Sequence, residues 1–327
     1  MVAIYDLASR AMGHLTEIRM QENEVQIDGS RIVYSVSSNI NDVATDQKPL
    51  QSIWAINIHG YFAGGAVYWR ESARLAHNLG LKVVNPSLPG FGGSDPIAWR
   101  DLSMDAMAKK VLGLMDFLEI ERALLFGHSM GGCVAIKIAT LAPSRVLGIV
   151  YRDGAATPSW RQRNGLVAKA LYPVGPDLAM LLDLAVGAFL DVPDLVAGRV
   201  ASTIKAVLPD LGKNVRYIGN TIPVGALLFG TNLTKEVKMI AQNGDIPILA
   251  EWGSLDQITP PYTAKEFSEV SGQPILWVPG GHSWMLARPA TQSWVLKYHP
   301  RGKEFCQKVI ERNRQLRTAT ARLKIVR

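Results

Sequence analysis

The run Gly127-His128-Ser129-Met130-Gly131 places a serine between two glycines in G-x-S-x-G spacing. With average glycine usage, such a match arises by chance in on the order of one chain in ten of this length. Its surroundings make it informative. Apolar Ala123–Phe126 reads as a short buried strand before it, and Gly131–Leu141 as a helix after it, stopped before Pro143. A serine on such a strand-to-helix turn holds its hydroxyl out at a helix N-terminus. A hydroxyl is a poor nucleophile unless a base lies beside it. Of six histidines, His14 and His299 lie near the termini, His77 on a surface helix, and His59 and His128 in local turns. His282 follows an apolar strand on the glycine-rich loop Val278-Pro279-Gly280-Gly281 and is the candidate base. An imidazole base needs an acid to hold its tautomer and stabilise the imidazolium. Asp256 follows Ile246–Trp252 through Gly253-Ser254-Leu255, one strand before His282. Asp153 also ends a strand and is its rival, with a structural loop role as the ordinary reading.

Around these residues, strand and helix signals alternate. Glu24–Val36 reads as a hairpin around Asp28-Gly29. Ser52–Ile58, Leu81–Asn85 and Val146–Tyr151 read as strands, and Ser103–Leu118 as a helix through Met104, Met107, Val111, Leu112, Met115 and Leu118. After Ile246–Trp252 come a helix over Pro261–Val270, a strand over Pro274–Val278 and a helix from about Pro289. This order predicts an α/β fold with a mostly parallel sheet flanked by helices. Residues 154–244 carry little strand signal and read as a helical cap over the sheet's C-terminal edge, where open α/β sheets bind ligands. The expected division is 1–153 and 245–300 for the core, 154–244 for the cap and 301–327 for a basic C-terminal helical tail. In the cap, Leu178–Leu190 is apolar on more than one helical face, so Phe189 is a candidate wall of an apolar substrate pocket.

Composition bounds the function. The 327 residues are 48% hydrophobic and 19% charged, which suits a globular chain. Two distant cysteines, Cys133 and Cys306, form neither a metal spacing nor a disulfide framework, as in a reducing compartment. No signal segment or membrane span is legible, and a cytoplasmic location is expected. The net charge of +7 is local: from Lys297 to Arg327, ten Lys or Arg stand against two Glu, an excess of +8, so the rest sums to −1. The ordinary reading is a solvated helix, and a weak contact with an anionic surface is the alternative. No nucleic-acid partner is expected. No zinc, phosphate-loop or dinucleotide motif appears, so no metal and no cofactor are expected.

Ile58-His59-Gly60-Tyr61, Pro86-Ser87-Leu88-Pro89-Gly90-Phe91-Gly92-Gly93-Ser94, Gly127-His128-Ser129-Met130-Gly131-Gly132, Gly253-Ser254-Leu255-Asp256 and Gly281-His282 together resemble the α/β-hydrolase superfamily. The resemblance spans about residues 50–153 and 245–295. It implies the α/β-hydrolase fold and the triad Ser129, Asp256 and His282, in that chain order. It also implies oxyanion-hole N–H groups at Tyr61 and Met130. Ser87 departs from the family, where an aspartate is common. Serine at the elbow argues against the dehalogenase and epoxide-hydrolase branches, which use aspartate there. The reaction expected is cleavage of a small-molecule carboxylic ester with an apolar acyl or alcohol group. Thioester, amide or carbon–carbon hydrolysis on the same triad, or a non-catalytic ligand receptor, are the alternatives.

Overall fold

The computed structural model describes residues 20–37, 48–161, 208, 210, 212–214 and 218–325. Strands β1 (Met20–Ile27) and β2 (Ser30–Ser37) form the expected hairpin, turning at Asp28-Gly29 with positive φ at both residues. There follow β3 (Trp54–Ile58), helix α1 (Trp69–Leu79), β4 (Lys82–Pro86), α2 (Met104–Phe117), β5 (Ala123–His128), α3 (Met130–Leu141) and β6 (Val146–Arg152). After the middle segment come α4 (Ile218–Gly230), α5 (Thr234–Asn243), β7 (Ile248–Gly253), α6 (Pro261–Ser271) and β8 (Leu276–Val278). The chain continues with α7 (Trp284–Ala287), α8 (Thr291–Tyr298) and α9 (Pro300–Ile325).

The strands form one eight-stranded sheet in the order β1-β2-β4-β3-β5-β6-β7-β8. β2 is antiparallel to both its neighbours, and every pairing from β4 to β8 is parallel. The central strands explain their own position. β5, β6 and β7 are buried at every residue, so their near-continuous apolar runs face helices on both sides. β1 is polar and partly exposed, which suits a sheet edge. One face packs under α2, α3, α5 and α6 through residues such as Met107, Val134, Val237 and Phe267. The other packs under α1, α8 and α9 through Leu75, Val295, Phe305 and Val309. This is the α/β-hydrolase fold. Among the described residues, no helix is long and apolar enough to cross a membrane.

The parallel strands all deliver their C-terminal ends to one edge, and the candidate site residues leave β3, β5, β7 and β8 there. Local signals set the helix boundaries. Ser103 Oγ accepts the Ala106 N–H at 3.1 Å and caps α2, and Gly80 closes α1 at φ 77°.

The C-terminal segment departs from a solvated helix. In α9, Phe305, Cys306 and Val309 are buried against the sheet. The Arg312 guanidinium donates to the carbonyls of Val146, Asp245 and Pro143, each at 2.8 Å. Apolar spacing within a strongly basic sequence hid this packing face. Phe305→Ala is expected to lower the stability to denaturant by about 3–5 kcal/mol, the usual cost of emptying a buried aromatic site. Urea unfolding monitored by tryptophan fluorescence checks it. An unchanged midpoint would show that the helix is peripheral.

Candidate active site

Ser129 sits at φ 53°, ψ −119°, between the end of β5 and the first residue of α3. A non-glycine residue in that region is strained by about 1–3 kcal/mol, and such strain clusters at functional positions. The turn is held by its backbone: the Ser129 N–H donates to Arg152 O and the Gly132 N–H to Ser129 O, both at 2.9 Å. The flanking glycines are needed for close approach. A Cβ on Gly127 would lie 2.7 Å from Gly131 O, and one on Gly131 would run into Ile58 O. Met130 begins α3, whose first-turn N–H groups have no partner within the helix and give that end a partial positive charge.

His282 and Asp256 meet. His282 Nδ1 lies 2.8 Å from Asp256 Oδ2, with both residues buried. Asp256 Oδ1 accepts the N–H groups of Ile258 at 2.7 Å and Thr259 at 2.9 Å, and Oδ2 also accepts Thr259 Oγ1–H at 2.6 Å. An oxygen that only accepts leaves Nδ1 as the ring's donor, so in the neutral ring Nε2 is the basic nitrogen. The rival, Asp153, ends β6 beside them, and suitable atoms of Asp153, Asp256 and His282 all lie within 4.8 Å of one another. Asp153 Oδ1 accepts the Gly253 N–H at 2.7 Å, and Oδ2 accepts the Trp284 Nε1–H at 2.6 Å. Burial first, and then the charge of Asp256, hold the Asp153 carboxyl well above the usual carboxylate range. His282 Nδ1 carries a proton toward Asp256, so the ring nitrogen that faces these carboxyls is not free to ligate a metal ion.

The β3 loop approaches the elbow closely. A Cβ on Gly60 would lie 3.1 Å from Ser129 Cβ, so the backbone of Gly60-Tyr61 runs beside the serine. The Tyr61 ring packs edge-on against Phe91 at 5.7 Å, and its hydroxyl donates to Thr221 O of α4 at 3.1 Å. The two histidines read as turn residues are buried struts. His59 Nδ1–H donates to Gly60 O at 2.7 Å, and Nε2 accepts the Leu88 N–H at 2.8 Å. Burial pushes its pKa down to about 4. His128 Nε2–H donates to His282 O at 2.9 Å, which leaves Nδ1 to accept the Tyr68 hydroxyl at 2.6 Å. Tyr68 in turn accepts the Gly60 N–H at 3.4 Å. Burial, then the charges of His282 and Arg152, hold His128 well below the usual range, so it stays neutral. One chain of hydrogen bonds thus ties the Gly60 loop, the elbow and the backbone of His282.

The segment before α4 also grips this loop. Asp210 Oδ2 accepts the Val67 N–H at 3.2 Å, and Asn214 Nδ2 donates to Phe62 O at 2.9 Å and Ala63 O at 3.1 Å. Asn214 Oδ1 accepts the Gly92 N–H at 2.9 Å. Phe189 and the whole apolar stretch Leu178–Leu190 lie outside the described residues.

The structure therefore brings Ser129, Asp256, His282, Tyr61 and Met130 to one sheet edge. Tyr68, Thr259 and Trp284 were missed because no local spacing marks them. Asp153 was placed on the right edge by the end of its strand, but its contact with Asp256 was not foreseeable.

Comparison with known proteins points to the same fold. Residues 56–194 match a family model described as alpha/beta hydrolase fold. A pimeloyl-[acyl-carrier protein] methyl ester esterase of Photobacterium profundum is 29% identical over 244 residues, covering 71% of this chain and 88% of that protein. A 2-hydroxymuconate semialdehyde hydrolase of a Pseudomonas species is 36% identical over 167 residues, covering 50% of this chain and 56% of that protein. The solved esterase from Exiguobacterium antarcticum superposes with a TM-score of 0.64 at 19% identity, over 84% of this chain and 98% of that one.

Proposed function

We propose that this chain, which has the α/β-hydrolase fold and matches that family's model over residues 56–194, is a serine hydrolase that cleaves a small-molecule carboxylic ester through an acyl-enzyme. The observation that supports this most is the 2.8 Å bond from His282 Nδ1 to Asp256 Oδ2, on the same sheet edge as a strained serine at a helix start. Ser129 Oγ attacks the ester carbonyl while His282 Nε2 takes its proton. The new O–C bond turns the carbonyl oxygen into an oxyanion, which the Tyr61 and Met130 N–H groups hold. Each such donor is worth roughly 3 kcal/mol in the transition state. The imidazolium, steadied by Asp256, then protonates the departing alkoxide as the C–O bond breaks. Water repeats the sequence on the acyl-enzyme and returns the proton to Ser129. No step calls for a cofactor.

We further read residues 154–244 as a cap over this edge, because Asp210, Asn214 and Thr221 hold the loops around Tyr61. The relative named as a methyl ester esterase, covered over 88% of its own length, supports an oxygen ester, and the relative named as a 2-hydroxymuconate semialdehyde hydrolase keeps carbon–carbon hydrolysis as the alternative. If the cap lines an apolar acyl pocket, each methylene that leaves water adds ~0.8 kcal/mol. Three extra methylenes then raise kcat/KM by roughly fifty-fold, provided the gain persists in the transition state. A panel of aryl esters of graded acyl length measures this. A flat series would remove the apolar pocket from the reading, and the absence of turnover on every ester would remove the esterase.

A further inference from the structure

Asp153 is fully buried beside the triad, yet no step above uses it. Its oxygens each accept one N–H, from Gly253 and from Trp284, so each keeps a second position. Asp256 lies within 4.8 Å and is itself buried; its Oδ1 accepts the Ile258 and Thr259 N–H groups, and its Oδ2 the Thr259 hydroxyl and His282 Nδ1–H. Two ionised carboxyls this close in a dry site repel strongly, whereas one shared proton turns the same contact into a hydrogen bond.

We infer that Asp153 is a positioning residue that works as a neutral acid: its carboxyl O–H donates to Asp256 and aims that carboxylate at His282 Nδ1. The inference rests on the reading of His282 and Asp256 as base and acid. The burial-raised pKa of Asp153 described above is consistent with it. The other charged or titratable groups around the pair have partners of their own. Arg152, on β6 itself, is bound to Glu71 at 2.5 Å and to Asn57 at 2.7 Å. Tyr151, also on β6, has its hydroxyl oxygen at the Ala156 N–H, which it accepts at 2.9 Å. Tyr68 gives its proton to His128, and His128 gives its own to His282 O. Glu251 of β7 faces Gln292, with burial holding its pKa up at about 7. A single neutral acid at Asp153 leaves one negative charge, on Asp256, to face the imidazolium.

The test reads the His282 ring directly. The full chain is labelled with ¹⁵N-histidine, and the His282 titration midpoint is followed by NMR in the wild type, Asp153→Asn and Asp153→Ala. A neutral Asp153 carries no charge to lose, so Asp153→Asn leaves the midpoint nearly unmoved. Asp153→Ala removes the O–H donor, Asp256 faces the ring with its full charge, and the midpoint rises. If Asp153 were instead ionised, both substitutions would delete a negative charge near the ring. The midpoint would then fall by roughly 1–3 units in both, which overturns the proposal. In turnover, Asp153→Ala is expected to lower kcat by roughly tenfold to a hundredfold at constant KM, the loss of one charge-assisted hydrogen bond. An unchanged kcat would also overturn it. A reading that does not depend on a variant folding is the carbonyl stretch of a protonated acid in ¹³C-aspartate-labelled wild type. The label excludes Glu251, and above neutral pH Asp210, with a pKa of about 6, is ionised. The band's absence there would overturn the inference. The NMR and infrared measurements need no substrate, so a failed ester assay leaves them decisive.

Discussion

Ser129→Ala is expected to abolish covalent labelling by a fluorophosphonate and to lower kcat on any ester substrate by roughly 10⁶, while the protein stays folded. The fold is preserved because the turn is held by backbone groups. The Ser129 N–H bonds Arg152 O and the Gly132 N–H bonds Ser129 O, and neither needs the hydroxyl. Alanine meets the same strain at φ 53° that serine already bears. In the proposed mechanism the activity is lost because the acyl-enzyme forms on Ser129 Oγ. The Tyr61 and Met130 N–H groups then polarise a carbonyl that nothing attacks. Mass spectrometry of the labelled protein checks the site. A label that persisted on another serine would overturn the assignment of the nucleophile.

Asp256→Asn is expected to lower kcat by ~10⁴ with little change in fold. The Ile258 and Thr259 N–H groups both point at Oδ1, so an amide places its oxygen there. Its NH₂ then faces His282 Nδ1, which must accept instead of donate. The ring proton moves to Nε2, and the nitrogen that should take the Ser129 proton already carries one. Asp153→Asn leaves that tautomer in place and is expected to cost far less. Measuring kcat/KM for the two variants side by side decides between the acids. The reverse ranking would make Asp153 the triad acid and Asp256 its support.

Much of this architecture follows from short-range patterns. The parallel strands were legible because buried parallel strands are written as continuous apolar runs, as in Val146–Tyr151 and Ile246–Trp252, and β1 and β2 because of the Asp28-Gly29 turn between them. The strand boundaries shifted by up to four residues, since pairing partners decide where a ladder stops: the strand expected from Ser52 begins at Trp54, opposite Lys82. The elbow was legible because its glycines serve a contact within a few residues. His128 and Tyr68 were not, because their bond joins residues 60 apart and neither lies in a spacing that periodicity can detect. The packed face of α9 was hidden for a related reason: Phe305 and Val309 are few among many charges, and only the sheet beneath them makes them core.

The sequence by itself determined the order of strands and helices, the serine on its turn, and the histidine and aspartate that follow the last two strands. Those features depend on local backbone preference and on which faces must leave water. Only the tertiary structure decided that the second carboxyl lies buried beside Asp256, which histidine bonds Asp256 and which are buried struts, and how the Gly60 loop is set against Ser129. Each of those depends on distances between segments that the chain brings together from far apart. Burial then fixes their hydrogen bonding, because a polar group taken out of water at that sheet edge must find its partner among whatever the fold places beside it.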